Sequence, residues 1–421
     1  MARLEAVKLA ILFHDPPWKP WTVLGRLPGL HERLYQVFRD SVDYALRGAG
    51  RGSYEELKEE LKKGLRVHEL QGALFLAVLA GELGRRRVGD AADAAFEALR
   101  LLCRRDPSVE RADAFSSALD RLVVHAAENA LGRKLGTNRL AYKNPFDPEL
   151  VIVYSSSPSI DRLEEFVRVY AGTVAGLVER ACSAGGNHGC SLLLAHAASL
   201  LMEHIWYRVF PGQAPPADTR VPGHTVFDHA SAAMAMANWF SGARDREAAP
   251  RGYLVVADLA SVQSWIGEAR RLRDMWAASW LASFLAWRTV EPLVERYGPD
   301  VLLQPPARLH PFYTAWLLSK LGFRKWSDLE KGARESRAVD VLRRVLEPWF
   351  QGWPVDPTVP SRAVLVLPPE AGSRDEIERL VAAGYSGAWR SIASELAGYV
   401  EELVESLKQN TSLVGKHREL R

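Results

Sequence analysis

From its first residues to about position 245, the chain spaces its apolar residues as a helix does, and almost nothing there is patterned as a strand. ARLEAVKLAILF, ELQGALFLAVLAGELG, DAADAAFEALRLLC, ADAFSSALDRLVVHAAENAL, IDRLEEFVRVYAGTVAGLVERA and SLLLAHAASLLMEHIWYRVF all follow this spacing. They are rich in Ala and Leu, which form helices readily. Gly/Pro breaks and candidate caps such as Ser159 separate them. Only LVIVY (150–154) reads as a strand. Helices with apolar faces and no sheet to cover them must pack on one another.

The register changes near SGARDREAAPRG (241–252), a polar, Gly/Pro-flanked stretch expected to be a linker. YLVVADL follows as the first core strand. A long helix is expected from about Val262 to Tyr297. DVLLQPP (300–306) and RAVLVLPP (362–369) read as two more strands. DEIERLVAAGYSGAWRSIASELAGYVEELVESLKQ reads as a final helix. Strand, helix, strand, strand, helix is the order of a ferredoxin-like βαββαβ unit without its last strand. The expected class is α+β, with a mostly helical domain over 1–245 and an incomplete ferredoxin-like domain over 252–421.

A chain of 421 residues suffices for two or three domains. Its 48% hydrophobic and 25% charged residues match ordinary globular proteins. No window reaches the roughly 18 uninterrupted apolar residues of a membrane span. The apolar start, MARLEAVKLAILFHDPPW, lacks a basic region and a cleavage site, so it is read as a core helix rather than a signal peptide.

A net charge of +3 does not argue for a nucleic-acid partner. The clusters Arg85, Arg86, Arg87; Arg104, Arg105; and Arg270, Arg271, Arg273 read first as solvated helix faces, with phosphate contact as the alternative. Three cysteines fit a reducing cytoplasm better than a secreted scaffold. Cys182 and Cys190 bracket SAGGNHG, with His188 between them, but no second CxxC completes a zinc site. Two incidental thiols in a loop are expected, or a disulfide if the source is a hyperthermophile.

The chemistry centres on LFHDPPWKPW, where His14 and Asp15 close an apolar helix just ahead of two prolines that end it. At a helix end, adjacent His and Asp side chains can converge on one ion. An HD dipeptide alone is commonplace, and its company gives it weight. His31 lies in GLHERL, and Asp113 in RADAFSSALDR among small residues. ADTRVPGHTVFDHASAAMAMANWF brings Asp218, His224, Asp228 and His229.

Two carboxylates about 4 Å apart repel by roughly 4 kcal/mol at an effective dielectric near 20. If Asp15 and Asp113 converge, a divalent cation is their natural partner. Mixed His/carboxylate ligation suits Mn, Co or Ni, with Fe, Mg and Zn as alternatives. One or two such ions would activate water and neutralise charge on a phosphate. Lys19 is placed to steady that phosphate, or is a surface lysine. Asp218 and His224 are read as ligands or as supports of ligands, with a plain loop residue as the other reading of His224. His68, His125, His196 and His204 read as packed or surface histidines.

LFHDPPWKPW, ADAFSSALDR, ADTRVPGHTVFDHASA and DLASVQSWIGEARRLRDMWAASWLASFLAW together resemble the Cmr-type large subunit of type III CRISPR effector complexes. The resemblance runs from Ala6 to about residue 400. It implies a circularly permuted HD domain, with His14 and Asp15 as the His-Asp pair and Asp113 as the later aspartate. Asp228 and His229 would be the displaced opening motif, and His31 an additional histidine. The resemblance also implies metal-dependent cleavage of single-stranded DNA, switched on when the guide RNA pairs with target RNA. Other type III subunits are then partners, in the cytoplasm, with no membrane.

The segment from Tyr253 onward is similar to the first of two palm-like domains in that family. Asp258 there reads as a helix N-cap. Arg270, Arg271 and Arg273 read as contacts to subunits or RNA. The family's zinc finger and GGDD palm have no counterpart in this sequence. Synthesis of cyclic oligoadenylates by this chain alone is therefore not implied, and a separate chain or further C-terminal part is expected to complete the palm. Two other readings are a structural subunit with an inactive HD site and a free-standing HD phosphohydrolase.

Overall fold

The computed structural model describes residues 2–50, 52–59, 65–135, 140–144, 147, 149–154, 156–183, 189–220, 223–347, 354 and 356–409. His188 and the basic tail 414–421 lie outside the described residues.

The chain forms two compact units that interleave in sequence instead of meeting at 245–252. The larger comprises Met1–Val256, Tyr297–Val355 and Val364–Ala371; the smaller comprises Ala257–Arg296, Asp356–Ala363 and Gly372–Arg421.

The first helix, Ala2–His14, is buried on nearly every side, with Ala6, Val7, Leu9, Ala10 and Phe13 all fully buried. Such a helix belongs in the centre of a bundle. Around it pack helices Val67–Arg85, Gly89–Arg104, Cys190–Val209 and Val226–Phe240. Val67–Arg85 is also buried on all faces and packs in turn on Leu30–Gly48 and Ile160–Ser183.

Two glycines permit the closest crossings. A Cβ on Gly72 would sit 2.0 Å from the Phe13 carbonyl oxygen, and one on Gly81 would sit 2.3 Å from that of Ser41. Backbone meets backbone at both points, which only a residue without a side chain allows. Beside the first crossing, Phe75 stands 4.8 Å from Phe13, 5.1 Å from Tyr170 and 5.4 Å from Trp18, ring centre to ring centre. The fully buried Lys8 ammonium bonds Asp300 Oδ2 at 2.8 Å and the Tyr297 carbonyl, and Asn238 Nδ2 donates to the same Asp300 oxygen at 2.7 Å. This pairing meets the cost of burying a cation.

LVIVY forms strand Val151–Tyr154 as expected, paired antiparallel with Leu140–Lys143, which the sequence pattern did not mark. The three later strands appear as Tyr253–Asp258, Leu302–Gln304 and Arg362–Leu367. In their sheet the third lies between the other two, antiparallel to the second.

The expected continuous helix from 262 to 297 is instead two, Val262–Gly267 and Leu272–Tyr297. Gly267 ends the first, as its helix propensity favours, and Arg270 and Arg271 lie exposed in the break. Asp258 does not cap a helix: it pairs with Arg362 at 2.8 Å, and Ser261 takes the N-cap position. The final helix runs Arg374–Gln409. Cys182 and Cys190 are joined in a disulfide rather than standing as free thiols, because the ends of two neighbouring helices bring their Cα atoms to 6.1 Å.

The Gly72 crossing gives a direct test. Gly72→Ala should lower stability by about 1–3 kcal/mol, because the new methyl meets an unyielding backbone. Gly172→Ala, also within a helix but with nothing within 4 Å of its added Cβ, should be neutral or stabilising by up to about 1 kcal/mol. Thermal melts of the two variants beside the parent chain decide the matter.

Candidate metal centre

The first helix ends at His14, and Pro16 and Pro17 stop it from continuing. The turn is fixed by Lys19 N–H donating to the Pro16 carbonyl at 2.8 Å, and by Trp18 Nε1 donating to Gln71 Oε1 at 2.9 Å. His14 and Asp15 thus face the first turn of the neighbouring Val67–Arg85 helix, which carries His68 and Glu69. Asp113 comes from helix Pro107–Ser116, and His229 from the first turn of Val226–Phe240.

The side chains converge. His14 Nδ1 lies 3.3 Å from Asp15 Oδ1 and 3.9 Å from Asp113 Oδ1. His229 Nε2 lies 2.9 Å from Asp113 Oδ1 and 3.4 Å from Asp15 Oδ2. His68 Nε2 lies 3.6 Å from Asp15 Oδ1. One ligand atom from each of His14, Asp15 and Asp113 falls within 4.8 Å of the others. On its far side, His14 Nε2 faces Glu69 Oε1 at 3.5 Å, and Arg66 holds that carboxylate at 2.5 Å.

Charge and burial oppose each other here. Burial lowers the proton affinity of His14, but Asp15, Glu69 and Asp113 outweigh it and raise the pKa to about 10. Burial raises the Asp15 carboxyl, but Lys19, His14 and His229 hold it well below the usual range. Glu69 is lowered to about 2, since His14 and Arg66 overcome its burial. His68, in contrast, is pushed down to about 4, chiefly by desolvation, and stands as a neutral imidazole.

The donors fit a divalent cation. His14 Nδ1, Asp15 Oδ1 and His68 Nε2 are buried and make no hydrogen bond, and all three face the same space. Buried polar atoms without partners are costly, and a divalent cation that displaced the His14 proton and accepted the three lone pairs would satisfy them together.

The centre forms part of the wall of a cleft of about 450 Å³, together with Lys19, Arg66, Arg121, Asp218 and Arg220. Lys19 sits on Asp15 Oδ2. Asp218 is tied up with Arg220, accepting from its backbone N–H and its guanidinium, both at 2.7 Å.

Other residues expected at the centre are engaged elsewhere. Asp228 caps its own helix through Thr225, accepting from its N–H at 2.7 Å, and pairs with Arg308, which also holds Glu203 at 2.5 Å. His31 bonds Glu32 at 2.8 Å, next to Lys58. His224 is half-buried in the preceding turn, where its carbonyl accepts from Ala217. Arg270, Arg271 and Arg273 are exposed in the smaller unit. His196 and His204 are packed, as read from sequence, on Tyr313 and the Leu200 carbonyl, each at 2.8 Å.

His68, read as a packing or surface residue, is buried and stands 3.6 Å from Asp15 Oδ1. The available signal was RVHELQ, where a His-Glu pair opens an otherwise apolar helix.

Fold and site together define a mostly helical α+β protein with a buried His/Asp cluster able to hold a divalent cation. The sequence profile of the family "CRISPR-associated protein Cmr2, N-terminal" matches residues 254–394. The "CRISPR system CMR subunit Cmr2" of Saccharolobus solfataricus is 32% identical over 415 residues, covering 94% of this chain and 33% of that protein. The "CRISPR system Cmr subunit Cmr2" of Pyrococcus furiosus is 30% identical over 105 residues, 25% of this chain and 11% of that protein.

Two solved structures share the fold. A type III-B Cmr-beta complex in its apo state has a TM-score of 0.57 at 21% identity, covering 94% of this chain and 34% of the matched one. Type III-B Cmr-beta bound to cognate target RNA has a TM-score of 0.55 at 24% identity, covering 71% and 30%. The chain is a Cmr2-like protein, similar to Cmr2 subunits of CRISPR systems. It spans about a third of the length of the Saccharolobus relative and of these two matched structures.

If His68 helps hold an ion, His68→Ala should weaken Mn²⁺ or Ni²⁺ binding by about ten- to a hundred-fold, as read by titration calorimetry. An unchanged affinity would return His68 to a packing role.

Proposed function

We propose that this chain is the HD-type, metal-dependent nuclease portion of a type III CRISPR large subunit. It would cleave single-stranded DNA when a guide RNA within the complex pairs with target RNA. The convergence of His14, Asp15, His68, Asp113 and His229 on one buried point, open to a cleft, carries this reading. The likeness to Cmr2 subunits over 94% of the chain supports the setting. In that setting the partners are other type III subunits, guide and target RNA, and the location is the cytoplasm.

The helical region to about residue 245 is then a circularly permuted HD domain. The strands from Tyr253 onward form the first palm-like domain, contacted by subunits or RNA near Arg270, Arg271 and Arg273. Mn, Co or Ni suits the mixed donors best, with one or two ions.

Bound there, a divalent ion would supply an activated water at neutral pH and charge neutralisation on the phosphate. The protein's own residues do the rest. Glu69, gripped by Arg66, fixes the plane of the His14 imidazole. His229 and Asp113 hold one another in register at 2.9 Å. Lys19, at the cleft wall, is within reach of a phosphate oxygen. Arg308 anchors Asp228 and so fixes the turn that presents His229.

A second reading, a docking subunit that joins a separate GGDD palm chain, is favoured by the edge strand Tyr253–Asp258. Its Leu254 and Val256 are 61% and 57% exposed. Exposed apolar edge strands attract partners.

The purified chain, given Mn²⁺, Co²⁺, Ni²⁺ or Mg²⁺ separately, should degrade single-stranded DNA with at least one of them. A His14→Ala/Asp15→Ala variant should lose the activity by at least about a thousand-fold, the scale of removing a metal-dependent step. Cleavage retained by the variant would refute the catalytic assignment; complex assembly and interference untouched by the variant would favour docking.

A further inference from the structure

Each carboxylate at the centre is matched by one cation from the cleft wall. Lys19 sits on Asp15, Arg66 on Glu69, and Arg121 on Asp113 at 3.7 Å from Oδ2. The three cations are not equivalent. Arg66 is bound into the start of its helix, since its own backbone N–H donates to Glu69 Oε2 at 2.8 Å. All three line the cleft of about 450 Å³, but Arg66 holds Glu69 Oε1 with both Nε and Nη2 at 2.5 Å, whereas Lys19 and the 54% exposed Arg121 each meet their carboxylate through one nitrogen. Asp113 presents Oδ1 to His229 and His14, and Oδ2 to Arg121. A cation on one oxygen weakens the pull of the other on an ion. Three carboxylates face these three cations, and a divalent ion would displace the proton of His14, so the occupied wall carries about two positive charges in excess. A phosphodiester strand, with one negative charge per nucleotide, is the ligand that cancels that excess.

We infer that Arg121 and Lys19 are exchangeable counter-charges. They neutralise Asp113 and Asp15 until a divalent ion takes over those carboxylates, and then turn to the phosphates flanking the one held at the centre. This rests on the metal-centre reading above and adds how the strand is held. It makes metal and strand binding mutually reinforcing, since a coupling between two ligands is reciprocal. A mononucleotide, with no flanking phosphates, gains little from it.

The test uses the full chain with Mn²⁺ alone by calorimetry. A hydrolysis-resistant phosphorothioate oligothymidine is then followed by fluorescence anisotropy, with Mn²⁺ and with chelator. Arg121 is on an exposed helix surface, so Arg121→Gln should fold normally. It should bind Mn²⁺ about three- to five-fold more tightly, because a competing cation is gone, and bind the oligomer in Mn²⁺ about three- to five-fold more weakly. Arg121→Lys should stay near the parent in both.

A structural role would move both affinities in the same direction or neither, and that result overturns the exchange. If the parent chain takes up Mn²⁺ but binds the oligomer no better with it than without, the exchange alone fails. If the parent takes up no Mn²⁺, the metal centre fails and the exchange with it.

Discussion

The site depends on the crossing at which Gly72 meets the Phe13 carbonyl. No side chain separates the two backbones there, so the last turn of the first helix lies directly on the first turns of Val67–Arg85. That closeness puts His14 and Asp15 beside His68 and Glu69. The aromatic cluster of Phe13, Trp18, Phe75 and Tyr170 then locks the crossing from the side. Asp113 and His229 arrive from two further helices packed against the first. A centre assembled from four helix ends inherits its precision from the packing of the bundle, as close-packed interiors allow.

Much of the fold was legible in sequence, because helical periodicity and strand composition act locally. The bundle, the later strands and the last helix all follow from those signals. The strand Leu140–Lys143 was missed because four residues with two polar neighbours carry little pattern, and only its partner gives it shape. The break at 268–271 was missed because Gly267 alone marks it. The interleaving of the two units was not legible at all. It depends on contacts such as Lys8 with Asp300, which no local pattern announces.

The site divides in the same way. His14, Asp15, Asp113, His229 and Lys19 were found from residue type and setting, and the structure brings them together. Asp228 was drawn to the centre by its neighbour His229. Adjacent side chains on a helix diverge by about 100°, so one faces the centre while the other caps the helix and meets Arg308. His31 is held away from the centre by its own contact with Glu32 at 2.8 Å. His68 was read as a packed or surface histidine, because a histidine within an apolar run resembles core packing until the first helix is laid across it.

The buried Lys8–Asp300 pair bears on the order of events during synthesis. Lys8 belongs to the central helix, yet the Tyr297 carbonyl it bonds lies 289 residues further along the chain. Until that segment has left the ribosome, the nascent bundle must leave Lys8 in water or bury it without a counterion. The first helix therefore cannot settle into its final place early, and contacts of such long range are slow to form. The region to about residue 245 is patterned as a self-contained domain, yet it completes its core only once the residues around Asp300 have been made.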